Sequence, residues 1–215
     1  MAKVTVHTRL CRDLRRLSVI QGSLVLAVGL LVFIAWLAGI DSLKGLRPGL
    51  PTMKANTALG FILSGATLVL VGHPSERALV RRGAQVGAGL VALLGGLTFA
   101  QYLFGVELGL DQLLVEDPVR SRELGYPGRM APNTAVCFIL LGVSLLFIEV
   151  KTRLMGWPSQ YLAALTAIIA LVGFVGYLYG QEEFPGLSRY AQMAVHTTMC
   201  FLLLSSGVFL ARPDR

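Results

Sequence analysis

Stretches with no charged residue alternate along this chain with short stretches that hold nearly all of its charge. The charge-free windows are 17–40, 55–75, 83–106, 130–148, 154–181 and 190–211. Each reaches the roughly 20 residues with which a helix crosses the ~30 Å apolar layer of a bilayer. Lipid offers the backbone no hydrogen-bond partners, and the strict alternation of a membrane barrel is missing, so each window predicts a continuous helix. The expected fold is an all-α integral membrane protein with six transmembrane helices. They form one transmembrane domain over 1–215, with a basic cytoplasmic segment over 1–16.

A second pattern is laid over the first. The spacing Met-x-x-(Asn/His)-Thr-x-x-(Gly/Cys)-Phe falls at the start of every second window: Met53, Asn56, Thr57, Gly60, Phe61; Met130, Asn133, Thr134, Cys137, Phe138; Met193, His196, Thr197, Cys200, Phe201. An aromatic-Leu-x-Gly ending lies upstream of each copy, at 36–39, 102–105 and 177–180. Trp and Tyr rings favour the headgroup zone, and Gly tolerates a left-handed helix cap. Recurrence at this period marks a repeated supersecondary unit. Here it predicts three direct two-helix repeats, at about 17–75, 83–150 and 154–211. Two crossings per unit give every copy the same polarity. The expected arrangement is therefore pseudo-threefold about the membrane normal, unlike the inverted repeats of many transporters.

At about 100° per residue the motif's Met, Asn/His, Thr and Gly/Cys fall on one face of each even-numbered helix. Small and polar residues on one stripe permit close helix contact in lipid. The even helices are thus expected to form the inner ring and to gather Asn56, Asn133 and His196 near the outer leaflet, with Thr57, Thr134 and Thr197 beside them. Such a cluster has two readings. It caps helices and holds register, or it is a ligand site, because polar groups at membrane depth carry a raised functional prior. His196 breaks the repeat by placing a titratable, metal-competent ring where the other copies have Asn.

Charge adds an orientation. Lys3, Arg9, Arg12, Arg15, Arg16, Arg77, Arg81, Arg82, Lys151, Arg153, Arg212 and Arg215 fall on one side. Asp41, Glu107, Asp111, Glu116, Asp117, Glu123, Glu182 and Glu183 fall on the other. The positive-inside bias puts both termini in the cytoplasm. The net charge of +7 then sits where anionic headgroups lie, and no nucleic acid is needed to explain it. Hydrophobic residues at 54%, charged residues at 14% and a mean hydropathy of +0.67 place the chain well outside soluble composition. The first window is too long for a signal-peptide core and lacks an Ala-x-Ala site, so it is expected to remain as the first helix.

Catalytic patterns are missing: there is no Ser-His-Asp, His-Glu-x-x-His, Walker or dinucleotide-binding arrangement, and the expectation is that the chain is not an enzyme. Cys137 and Cys200 read as small apolar fillers. Glu107, Asp111, Glu116 and Asp117 read as a solvated loop face, and the stretch 109–114 as a short interfacial helix lying over the outer end. For a metal, His196 with Met53, Met130 and Met193 suits haem or Cu(I). Methionine is equally an ordinary packing residue, and no cofactor is the default. A quinone entering between helices fits the same polar cluster. A structural oligomerisation module is a further reading, with helices three and five pairing protomers as a homodimer or higher homo-oligomer.

The runs from Pro127 through Met130, Asn133 and Thr134 to Phe138, from Gly176 to Gly180, and from Met193 through His196 and Thr197 to Leu210 and Arg215 resemble the N-terminal multi-pass membrane region of bacterial PAS-containing sensor histidine kinases and diguanylate cyclases. The resemblance covers about 36–215. It implies a sensory input module of the bacterial inner membrane whose last helix hands a signal to a cytoplasmic output domain or kinase. No kinase histidine box, ATP lid or cyclase motif occurs in this sequence, and the resemblance transfers no ligand residue.

Overall fold

The structure, a computed structural model, describes residues 2–45, 51–73, 77–115, 126–152, 156–178 and 193–213. Within them lie six α-helices: α1 (Ala2–Leu37), α2 (Ala55–Gly72), α3 (Ala78–Phe104), α4 (Pro132–Leu146), α5 (Pro158–Leu178) and α6 (Val195–Ala211). No sheet forms among the described residues; Thr152 and Gly156 make one isolated bridge.

Four stretches are long and apolar enough to cross a membrane: Arg9–Leu37, Ala55–Gly72, Ala78–Phe104 and Pro158–Gly176. Helices α4 and α6 are apolar but shorter, at 15 and 17 residues. At 1.5 Å per residue the 36 residues of α1 extend about 54 Å, well beyond the bilayer's apolar layer.

The two sorts of helix differ in burial. Of the apolar window of α2, 67% is buried, against 28% for α1, α3 and α5. Each odd helix packs most extensively on the even helix that follows it in sequence. It packs next on the even helix of the neighbouring pair: α3 on α2, α5 on α4, and α1 on α6. The even helices meet one another, and the odd helices have no comparable mutual packing among the described residues. Lipid gives no hydrophobic drive to helix association, so these contacts depend on van der Waals fit. The apolar outer faces, among them Leu24, Leu31, Leu90, Leu93, Ile168 and Val172, are exposed.

Fit is closest where glycine sits in the contact. A Cβ on Gly29 of α1 would meet the Ala58 carbonyl of α2 at 2.9 Å, and one on Gly95 of α3 would meet the Ala135 carbonyl of α4 at 2.6 Å. In the reverse direction Gly65 lies against Gly22 and Leu26, and Gly142 against Ala88 and Ala92. The two sets fall at matching places, counted from Met53 and Met130 on the even helices and from Trp36 and Tyr102 on the odd ones.

At the centre, Phe61, Phe138 and Phe201 are fully buried. Their ring centroids lie 4.8, 4.9 and 5.1 Å apart, tilted by 56° to 63°. Edge-to-face geometry of this kind adds roughly 0.5–1.5 kcal/mol per pair beyond burial.

Candidate functional site

The ends of the first two pairs that carry the motif are built alike. The Trp36 indole donates to the Met53 carbonyl at 2.8 Å, and the Tyr102 hydroxyl donates to the Met130 carbonyl at 2.9 Å. The aromatic endings of α1 and α3 thus bind the first residue of the motif on their partners. Gly39 and Gly105 follow with φ of 70° and 64°, the left-handed closure expected from their side-chain-free backbone. The copy at 177–180 has no described side chains.

A cation covers each of these rings. Lys44 Nζ lies 4.3 Å from the Trp36 centroid, and the Arg129 guanidinium lies 5.2 and 4.1 Å from Tyr102 and Tyr126. Each cation pairs with an acid at 2.7 Å, Lys44 with Asp41 and Arg129 with Asp111. The second pair is desolvated, with side chains 2% and 9% exposed, whereas Asp41 is 89% exposed. Buried Gln101 completes the second network: its Oε1 accepts from Arg129 and from the Leu108 backbone, and its Nε2 donates to Asp111.

Two expectations change here. Asp111 is not part of a solvated loop face but the counter-ion of a buried arginine. The stretch 109–114 forms turns rather than an interfacial helix. Gly109 takes a φ of 70°, and Asp111 is drawn inward by Arg129 and Gln101. Glu107 is exposed, while Glu116 and Asp117 lie outside the described residues.

The motif residues divide by direction. Along a helix, four residues turn about 400° and five about 500°, so each threonine lies some 40° from the axial Phe and each Asn/His some 140° from it. The phenylalanine triad therefore points Thr57, Thr134 and Thr197 toward the axis, one turn nearer the N-termini of the even helices than the rings, and all three are buried. The same geometry turns Asn56, Asn133 and His196 toward the seams between even and odd helices. No hydrogen bond joins the three.

Those three residues also differ from one another. The helices begin at caps Lys54, Ala131 and Ala194, none with a side-chain cap bond. Asn133 Oδ1 accepts from the neighbouring Thr134 N–H at 2.9 Å. Asn56 Oδ1 and His196 Nε2 are buried without a partner. An unmet polar atom in a dry interior is costly, of the order of 1–3 kcal/mol, and asks for an explanation.

Met53, Met130 and Met193 are all buried. Met193 Sδ, two residues ahead of α6, lies 3.1 Å from where a Gly173 Cβ of α5 would stand. That placement suits packing rather than an axial thioether site. Among the described residues no three of His, Cys, Asp and Glu gather in a metal-holding group. Cys137 and Cys200 are buried, Cys11 is half-buried, and none of the three is in a disulfide.

The sequence reading missed the Gln101–Asp111–Arg129 network and the role of Phe as the axial residue. The Phe was visible in every copy of the motif; attention to polar positions passed over it. Compared with protein-family models, with curated proteins and with solved structures, the chain gives no match.

Proposed function

We propose that this chain is a membrane-embedded sensory input module. In this reading all six helices cross a bacterial inner membrane, as three direct repeats about a pseudo-threefold axis with both termini cytoplasmic. A small or lipophilic ligand, or the state of the membrane, is detected near the outer leaflet, and α6 relays it to a cytoplasmic output domain. The cyclic packing of even and odd helices supports the repeat arrangement. The resemblance to the membrane regions of sensor kinases and cyclases supports the relay.

The observation that carries the ligand reading is the pair of orphaned polar atoms, Asn56 Oδ1 and His196 Nε2. Other buried hydroxyls are met locally, Ser64, Thr67, Thr98 and Thr166 each donating to the carbonyl four residues back, while Gln21 Oε1, Ser205 Oγ and Arg212 Nε are also buried without a partner. A ligand with a hydroxyl or carbonyl group, such as a quinone, would satisfy the orphans from between helices. The second reading is a structural module that holds protomers together without a ligand of its own; Gly89 and Gly96 of α3, with open space where a Cβ would stand, offer a small-residue face for it.

An absorption spectrum of detergent-purified protein, with mass spectrometry of its organic extract, separates the readings. A stoichiometric lipophile supports the sensor, a Soret band moves the assignment to haem, and an empty extract favours the structural module. His196→Asn sharpens the result, because Asn fills the equivalent place in the other repeats. The variant is expected to fold as the wild type does and to lose the bound molecule. Retention of that molecule at wild-type occupancy would remove His196 from the site.

A further inference from the structure

The inner end of the bundle carries an ion pair that the repeats make conspicuous. Arg212 Nη2 lies 2.6 Å from Glu149 Oε1, with the side chains 22% and 40% exposed. Counted from the motif methionines, the two occupy the same position: 130 to 149 and 193 to 212 are each nineteen residues, and 53 to 72 reaches Gly72. One repeat supplies the acid, one the base and one a residue without a side chain. Both residues lie just past the last helical residue of their helices, Glu149 three beyond Leu146 and Arg212 one beyond Ala211.

Its partners make it directional. Arg212 caps the C-terminus of α6, and Glu149 lies in the turn that ends α4. On its other side, α6 is tied to α1 by neutral bonds: Ser18 donates to the Gly207 carbonyl at 2.8 Å and Gln21 to Ser206 at 3.0 Å. Among the described residues of this end, Asp13 and Glu149 are the acids amid Arg9, Arg12, Arg15, Arg16, Arg77, Arg81, Arg82 and Lys151. Arg212 thus has one acid holding it to the bundle, and a long side chain able to reach an anionic headgroup instead.

We propose that Glu149 and Arg212 form an ionic latch that holds the exit of α6 against the end of α4. Released, Arg212 engages lipid phosphate and the last turn of α6 swings from α4 while the phenylalanine triad stays packed. The latch rests on the reading of α6 as the relay helix, since it sets which of two positions the exit takes.

The test is a distance measurement in lipid nanodiscs between spin labels at the exposed positions Phe147 and Phe209, in full-length protein with Cys11→Ser. Wild type is expected to give one narrow distribution. Glu149→Gln and Arg212→Gln are expected to broaden it and move it to longer distance, and the charge swap Glu149→Arg with Arg212→Glu to restore it. Rising salt should broaden the wild-type distribution without any substitution, because a part-exposed pair is screened. An unchanged distribution in both glutamine variants and in high salt, or a folded swap that fails to restore it, would overturn the latch. The readout needs neither ligand nor output: a latch that opens in a chain that binds nothing leaves this inference standing and removes only the sensory reading.

Discussion

The first two helix pairs and the third solve the same packing problem with different residues. In α1–α2 and α3–α4 the contacts are made by Gly29 or Gly95 on one side and Gly65 or Gly142 on the other, each close to the partner's backbone. At the matching places α5 and α6 carry Ala170 and Ser205, and Ala163 stands where α1 has Gly22 and α3 has Ala88. All three are buried, and the Ser205 hydroxyl has no partner. Among the described residues, the α5–α6 packing is the least extensive of the three. Each added Cβ or hydroxyl keeps two backbones apart, and in lipid that lost contact has no hydrophobic compensation. The pair that lacks the contact glycines is the one that holds His196 and leads to Arg212.

The comparison breaks most severely when the element common to all three pairs is removed. Phe138→Ala takes out one ring of the central triad and is expected to lose about 3–5 kcal/mol, in the range of other aromatic truncations in closed cores. Thermal unfolding in detergent reads it, and a loss below about 1 kcal/mol would mean that the triad is not what joins the repeats.

Less severe is a substitution that tests glycine against alanine. Gly142→Val drives a branched side chain into the Ala92 backbone, where even a Cβ would stand 2.5 Å from nitrogen. It is expected to lose roughly 1–3 kcal/mol or to fail to fold. Ala170→Val in the third pair should cost clearly less. Equal losses at the two positions would mean that α5–α6 is as tightly fitted as α3–α4.

The smallest effect sharpens the comparison in the opposite sense. Ser205→Gly gives the third pair the residue of the other two and removes an unpartnered hydroxyl. Glycine's helix penalty of about 1 kcal/mol opposes that gain. The expected outcome is a change within about 1 kcal/mol, together with slower hydrogen exchange in α5. Faster exchange there would show that Ser205 stabilises the pair in a way its geometry does not reveal.

The gross architecture was legible because the solvent imposes it. Charge-free windows and a thrice-repeated motif located the helices, and the aromatic-Leu-x-Gly endings anticipated the left-handed Gly39 and Gly105. Direction around each helix was harder to read. Asn56 and His196 share a broad face with Thr57 and Thr197, and only the meeting of the phenylalanines tells which edge of that face points inward. Asp111 was misjudged for a related reason. A carboxylate in an acidic loop is usually solvated, and its partner Arg129 lies eighteen residues away, beyond a stretch whose length fixes no geometry. Glu149 and Arg212 could have been found by extending the repeat alignment past the motif to the ends of the windows.

The triad of rings has one more consequence, which concerns traffic. Three edge-to-face phenyl groups with centroids about 5 Å apart leave no bore along the axis for an ion or a water file. If the chain is a sensor as proposed, a ligand at the threonines meets a stopper there, and its arrival could pass to the far side only as mechanical displacement, carried by the helices to which the rings are attached.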